Sequence, residues 1–256
     1  MEIVLSIAGS DPCAGAGIQG DLKTFLAFNV YGMSVITALT SQNSIGVKSV
    51  YPVPSEVLKE QLDILSQDFK FDAIKIGMLY TLENAVVVKN FIKDKRNIVL
   101  DPIIYSSNRV RLINKETLEF MKNELFPIVT IITPNYLEAA IISGVEINNI
   151  EDVKIAAKSI RKRFRAKNIL IKGGESGIDI LYNGYDFKLY ESDRLDIENV
   201  HGTGCALSSA IASGLAKGLS IKESVKEAKQ YITIFIKNSI KIGKGVNLLN
   251  HLKYMK

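Results

Sequence analysis

The sequence predicts an α/β protein with a mostly parallel central sheet, helices on both faces and a small antiparallel margin. Three observations lead there. Short apolar runs alternate with helical patterns from end to end. Most of the runs stop at polar or glycine-rich residues, such as Gly9-Ser10-Asp11, Gly77-Met78, Asp101-Pro102 and Lys172-Gly173-Gly174. One segment, Ile178 to Tyr190, has Asn183-Gly184 at its centre, the dipeptide of a tight hairpin.

The elements follow in order. Ile3 to Ala8 reads as a strand, followed by a glycine-rich loop and a helix through Leu22, Phe25 and Leu26. Ser34 to Leu39 is a second strand. Pro54 opens a helix whose Leu58, Leu62, Leu65 and Phe69 recur at the spacing of one helical face. A strand at Asp72 to Ile76 precedes a helix from Leu82 to Ile92. Strands at Asn97–Leu100, Thr130–Thr133 and Asn168–Ile171 follow, then the hairpin. The last third is helical: Ala206 to Lys217, then from Ile221 with Val225, Ala228, Ile232, Phe235 and Ser239 on one face. There is no internal repeat and no linker, so residues 1–256 are expected to form one domain.

Composition narrows the class of function. The chain has 256 residues, 47% of them hydrophobic and 23% charged, as in ordinary globular proteins. Mean hydropathy is +0.13, and charged residues break every apolar run short of the ~18 residues of a membrane span. The first residues, Met1 to Ser6, lack a basic leader region, so no signal peptide is expected. Two cysteines, Cys13 and Cys205, make no disulfide framework and fit a reducing cytoplasm. With His201 and His251 they show no metal-ligand spacing, so zinc is not expected. The net charge of +5 suits phosphorylated small molecules. The basic stretch from Lys158 to Lys167 alternates with Ile160 and Phe164 and reads as a solvated helix face, not a nucleic-acid surface.

In open α/β sheets, ligands bind outside the carboxyl ends of the strands. The polar residues listed above therefore converge on one rim, together with Gln42-Asn43, Asn135 and Gly202-Thr203-Gly204-Cys205. Gly15-Ala16-Gly17-Ile18-Gln19-Gly20 matches a dinucleotide fingerprint but lies too far past the first strand. No acidic residue ends the second strand, and Asp21 would repel a pyrophosphate. The stronger loop is His201 to Cys205, which runs into small residues at a helix start. Free backbone N–H groups and the helix dipole make it an anion hole. Cys205 at its mouth is expected to have a lowered pKa as a reactive thiol, against the alternative of a small buried hydrophobe. Glu138 follows Asn135 by three positions, as an oxygen ligand for Mg²⁺ or as an ordinary helix-start acid. Asp101 before Pro102 is a strand-end acid or a turn residue.

These motifs together resemble the hydroxymethylpyrimidine/phosphomethylpyrimidine kinases of thiamine biosynthesis, members of the ribokinase superfamily. The resemblance runs from Ile7-Ala8-Gly9-Ser10-Asp11 through Ala16-Gly17-Ile18-Gln19, Asp21-Leu22-Lys23-Thr24, Tyr31-Gly32-Met33-Ser34 and Thr37 to Asn43. It continues through Lys75 to Leu79, Asp101-Pro102, Thr133-Pro134-Asn135, Lys172-Gly173-Gly174 and His201 to Cys205, ending at Asn250-His251-Leu252.

The resemblance implies a ribokinase-like three-layer sandwich and ATP-dependent phosphorylation of 4-amino-5-hydroxymethyl-2-methylpyrimidine and then of its monophosphate. It implies a pyrimidine pocket of Gly9, Ala16, Asp21, Gln42 and Met78. Gly202, Thr203, Gly204 and Cys205 form the anion hole, with Cys205 where many sugar kinases of the superfamily carry an aspartate base. Asn135 and Glu138 match the Mg²⁺-phosphate motif and Lys172 the ATP-side lysine, so Asn135 and Lys172 are expected to serve ATP and Glu138, together with the strand-end acid Asp101, Mg²⁺. The expected partners are the small-molecule substrate and a second copy of the chain in a homodimer, with no nucleic acid and no membrane. The chain departs from the family at Cys13, where small residues are usual, at Ser107-Asn108-Arg109, where the usual lysine is missing, and at Glu175. Pyridoxine or pyridoxal kinase is the alternative within the family, and a non-catalytic ligand-binding regulator the alternative outside it.

Overall fold

The computed structural model describes residues 1–106, 108–192 and 200–251. Ser107 and Leu252, named above, lie outside the described residues.

Eleven strands and eight α-helices are described. They are β1 (Ile3–Ser10), α1 (Gly17–Ala27), β2 (Tyr31–Asn43), β3 (Gly46–Pro52), α2 (Ser55–Asp68), β4 (Ala73–Ile76), α3 (Leu82–Ile92) and β5 (Ile98–Leu100). Then come α4 (Lys115–Phe120), β6 (Ile131–Ile132), α5 (Tyr136–Ser143), α6 (Ile150–Phe164), β7 (Ile169–Ile171), β8 (Ile178–Tyr182) and β9 (Phe187–Glu191). The chain closes with β10 (Val200–His201), α7 (Thr203–Ala216), α8 (Ile221–Lys237) and β11 (Asn247–Leu248).

Nine strands form one sheet in the order β3-β2-β1-β4-β5-β6-β7-β8-β9. β2 through β7 pair in parallel, and the β7-β8-β9 end is antiparallel, as the Asn183-Gly184 signal predicts. A second antiparallel margin was not predicted. β2 runs on past Leu39 to Asn43 and turns back as β3, with Leu39 opposite Tyr51 and Asn43 opposite Gly46. α4 also lies in a stretch for which no element was predicted. The helix expected from Ala206 begins three residues earlier, at Thr203.

The alternation of side chains along each parallel strand sorts them between two cores. Leu5 and Ile7 of β1, Ile74 and Ile76 of β4, Ile98 and Leu100 of β5, and Ile169 and Ile171 of β7 pack with α2, α3, α5 and α6. Val4, Ala73, Val99 and Leu170 face the other way, onto α1, α7 and α8. Each such buried side chain contributes on the order of 1.5–3 kcal/mol. The same two-residue period turns Ser6, Lys75, Asp101 and Lys172 toward α1 and α7. Three of them, Lys75, Asp101 and Lys172, stand at or near the carboxyl ends of their strands. The strand order reverses direction between β1 and β4, which is where a ligand crevice is expected.

Candidate active site

A cavity of about 320 Å³ opens over those strand ends. β1 supplies Gly9 and Ser10, and the loop after it supplies Asp11 and Ala16. Thr40 and Gln42 come from β2, and Met78 follows β4. Asp101, Asn135, Glu138 and Lys172 follow β5, β6 and β7, and Gly202 to Cys205 lead into α7. Gly9 has no room for a side chain, since a Cβ there would run into the Met78 methyl group.

Three charged residues form the floor at one end. Lys172 Nζ donates to Asp101 Oδ1 at 2.6 Å, and Asp101 Oδ2 accepts from Ser208 Oγ of α7 at 3.4 Å. Glu138 closes a capping box with Asn135: its Oε2 accepts from the Asn135 N–H at 2.8 Å, and its own N–H donates to Asn135 Oδ1 at 2.8 Å. Its Oε1 accepts from the Ile104 N–H at 3.3 Å. The helix-start role and a place in the cavity wall are thus both present in one side chain. Burial pushes the Glu138 carboxyl up to about 7; Asp101 adds to this, against the pull of Lys172 and the backbone N–H groups. Burial opposes the Lys172 charge, but Asp101 and Glu138 outweigh it, so its pKa is raised. Asp101 and Glu138 are hard oxygen donors beside an ammonium and an anion hole. That set fits Mg²⁺, which keeps several waters and takes one or two carboxylates.

The loop from Gly202 to Cys205, expected to form an anion hole, opens directly into a helix. Gly202 is the N-cap of α7 in the left-handed region at φ 89°, and no side chain caps the helix. A Cβ at Gly202 would collide with the Gly15 carbonyl oxygen, so the two glycine loops are in contact. The first backbone N–H groups of α7 are therefore left to the cavity.

The state of Cys205 corrects the sequence reading. Burial pushes its thiol up to about 11; Lys75 and the Gly17 N–H pull the other way, and Asp21 and Asp101 reinforce the rise. The helix dipole does not make it a thiolate near neutrality, because burial, reinforced by the charges of Asp21 and Asp101, outweighs Lys75 and the helix start.

Asp21 is also corrected. It does not line the cavity and is fully buried beneath it. Its carboxylate accepts from Lys75 Nζ at 2.8 and 2.9 Å, from Ser6 Oγ at 2.5 Å and from Ser209 Oγ at 2.7 Å. It is the counter-ion of Lys75. Burial opposes the Lys75 charge, but Asp21, Cys205 and Asp101 outweigh it, and the ammonium pKa is raised. Lys75 itself reaches the cavity floor.

The structure adds Asp11, Lys75 and His201 to the residues read from sequence. Asp11 Oδ2 accepts from the N–H groups of Gly15 and Ala16 at 3.2 and 2.8 Å. The glycine loop that mimics a dinucleotide fingerprint thus has its backbone donors satisfied by a carboxylate of its own. His201 Nε2 lies 2.9 Å from Asp11 Oδ2 and 3.0 Å from the Gln42 side-chain amide. Asp11 was visible as a strand-end acid. The approach of His201 depends on β10 pairing with β11, a contact between distant parts of the chain.

A crevice over parallel strand ends, an uncapped helix N-terminus and buried lysine–carboxylate pairs suit the handling of phosphate groups, as in a phosphotransferase. The phosphomethylpyrimidine kinase family model matches residues 11–250. The chain is 43% identical over 254 residues to the hydroxymethylpyrimidine/phosphomethylpyrimidine kinase of Aquifex aeolicus, covering 97% of this chain and 99% of that one. Its fold superposes on the pyridoxal kinase of Bacillus subtilis, solved as an ADP complex, with a TM-score of 0.90 at 36% identity, covering 98% and 97% of the two chains. It superposes on the phosphomethylpyrimidine kinase of Clostridium difficile with a TM-score of 0.80 at 40% identity, covering 91% and 99%. The chain belongs to the phosphomethylpyrimidine kinase family. Among the described residues, no helix is long and apolar enough to cross a membrane.

Proposed function

We propose that residues 1–256 work as one kinase domain. It transfers the terminal phosphoryl group of ATP to the hydroxymethyl oxygen of 4-amino-5-hydroxymethyl-2-methylpyrimidine, and then to the resulting monophosphate, in thiamine biosynthesis. The observation that carries this reading is the pairing of two walls in one cavity. Gln42 and Met78 form a wall with one amide and one apolar face, suited to a flat aminopyrimidine. Lys172, Asp101 and the start of α7 form the other, suited to phosphates.

In this reading Gly9, Ala16, Gln42 and Met78 hold the pyrimidine, and Asp21 acts only through Lys75. Asn135 and Lys172 hold ATP. Asp101 and Glu138 would hold Mg²⁺, which when bound would neutralise phosphate charge. Gly202, Thr203, Gly204 and Cys205 surround the phosphoryl group as it transfers. Such transfers have a loose transition state, so positioning and charge stabilisation matter more than a strong base. A neutral Cys205 therefore serves as a wall of the anion hole and a weak S–H donor. In the first step the alcohol O–P bond forms, the bond between the γ-phosphorus and the ADP oxygen breaks, and the hydroxyl proton passes to the transferred phosphoryl group or to solvent. In the second step a phosphate oxygen is the nucleophile.

The pyridoxal kinase reading is favoured by the close superposition on the Bacillus subtilis enzyme. The presence of Cys205, Lys172, Asp101 and Glu138 around one cavity speaks against a mere ligand-binding regulator. The free thiols of Cys13 and Cys205 support a cytoplasmic setting. Leu39 and Tyr51, opposite each other and half exposed on the β2–β3 margin, support a homodimer.

The test is ATP consumption with hydroxymethylpyrimidine, its monophosphate, pyridoxal and pyridoxine. The proposal expects the highest kcat/KM for the two pyrimidines. Preference for pyridoxal would overturn it, and turnover of none would favour the regulator.

A further inference from the structure

Cys13, Asp11 and His201 are brought together at the edge of the cavity. Their ligating atoms all lie within 4.8 Å of one another. Asp11 Oδ2 is the common acceptor: Cys13 Sγ donates to it at 3.5 Å, and His201 Nε2 lies 2.9 Å away. Asp11 is buried, and the side chains of Cys13 and His201 are partly so. The carboxylate is anchored by the N–H groups of Gly15 and Ala16 through Oδ2, and by that of Cys13 through Oδ1 at 3.0 Å.

We infer that Asp11, Cys13 and His201 form a binding site for a thiophilic divalent cation of the zinc type, separate from the hard-oxygen site of Asp101 and Glu138.

The chemistry follows from the donor set. One nitrogen, one sulfur and one oxygen are the ligands zinc takes, and three protein ligands leave a fourth position for water. At ordinary zinc bond lengths, neighbouring donors of a tetrahedron stand about 3.3–3.6 Å apart. The Cys13–Asp11 spacing already meets that; on binding, His201 retreats from Asp11 by a few tenths of an ångström and the gap between Cys13 and His201, at most 4.8 Å, closes toward the same value. The cation takes the place of the hydrogen that Cys13 Sγ donates to Asp11 Oδ2, on the side where His201 Nε2 faces that oxygen. On binding, the Cys13 S–H bond breaks and its proton leaves to solvent. His201 Nε2 must offer its lone pair to the cation, so the bound imidazole carries its single proton on Nδ1, and any proton on Nε2 beforehand exchanges through solvent; the dication then meets one thiolate and one carboxylate. Burial and the adjacent Asp11 hold the free thiol up at about 11, and a bound dication reverses that balance.

Asp11, His201 and Gln42 share the cavity wall, so an occupied site alters the face on which the proposal above seats the pyrimidine. Zinc would then compete with the organic substrate. This competition rests on that reading; the metal site does not.

The experiment is titration of the full chain with Co²⁺ and Zn²⁺, in wild type, Cys13→Ser, Cys13→Ala and Cys205→Ser. The expected result, with Mg²⁺ saturating, is one thiolate-bound Co²⁺ per chain, read from a thiolate-to-cobalt charge-transfer band and displaced by Zn²⁺. The band should persist in Cys205→Ser and vanish in both Cys13 variants, whose zinc affinity should fall at least ~100-fold. Absence of the band in wild type, or its loss in Cys205→Ser with retention in Cys13→Ser, would overturn the site. Turnover is then measured in saturating Mg²⁺ with added Zn²⁺. Inhibition relieved by excess pyrimidine and missing in Cys13→Ser supports the competition. A cobalt band without such inhibition keeps the site and rejects the pyrimidine seat beside it.

Discussion

Lys172 Nζ and Asp101 Oδ1, 2.6 Å apart, tie the end of β7 to the end of β5 across the intervening β6. Both side chains are buried. Removing one partner of such a pair leaves a stranded charge, which costs about 3–5 kcal/mol, whereas removing both costs far less. Lys172→Met should therefore be markedly less stable in urea, and the double variant Lys172→Met with Asp101→Asn should recover most of the loss. Neither should phosphorylate. A double variant as unstable as the single one would show that the pair does not hold the strands.

Asp21 is expected to be a stability residue. Asp21→Asn leaves Lys75 without its counter-ion and should lose about 3–5 kcal/mol by denaturant titration. Measured where it is still folded, its KM for hydroxymethylpyrimidine should stay within about threefold of wild type, because no substrate contact is lost. A large, selective rise in KM would return Asp21 to the pocket.

Cys205 should behave as a neutral thiol. In a Cys13→Ser background, alkylation by iodoacetamide should be slow at pH 7 and climb about tenfold per pH unit into the alkaline range. A rate already on its plateau at pH 7 would mean a thiolate and restore the role of base.

Gln42→Leu removes the one amide facing the proposed pyrimidine seat. An unpaired polar group costs about 1–3 kcal/mol, so KM for the pyrimidine should rise about five- to hundredfold while KM for ATP is unchanged. Equal losses for both ligands would make Gln42 a structural residue.

Glu138 sets a pH dependence of stability. Its folded pKa of about 7 lies above the ordinary 4.5, chiefly through burial. Between those values the folded state keeps a proton that the unfolded state releases. Its contribution is therefore complete below pH 4.5, declines as pH rises, and is gone above 7, with a slope of at most about 1.4 kcal/mol per pH unit. Glu138→Gln should flatten that part of the profile in thermal melts from pH 4.5 to 7.5. An unchanged slope would assign the titration to another group.

The sequence by itself determined the sheet, its parallel character and the rim on which the cavity lies, because those depend on local period and on strand-end residues. It also carried, unread, the parity that turns Lys75, Asp101 and Lys172 to one face: each lies two positions beyond a residue of the α1–α7–α8 core. The tertiary structure alone decided which charges meet. Asp21 sits one helical turn from pocket residues, yet helix packing aims it at Lys75 of β4. The thiol of Cys205 lies at a dipole that should lower its pKa, yet burial and the charges of Asp21 and Asp101 raise it. The β2–β3 margin was missed because a half-exposed edge strand has little hydrophobic pattern of its own and forms by pairing. His201 joins Asp11 and Cys13 through contacts between distant parts of the chain, the pairing of β10 with β11 and the packing of Gly202 on Gly15. Periodicity is a property of neighbours along the chain; desolvation and ion pairing belong to neighbours in space.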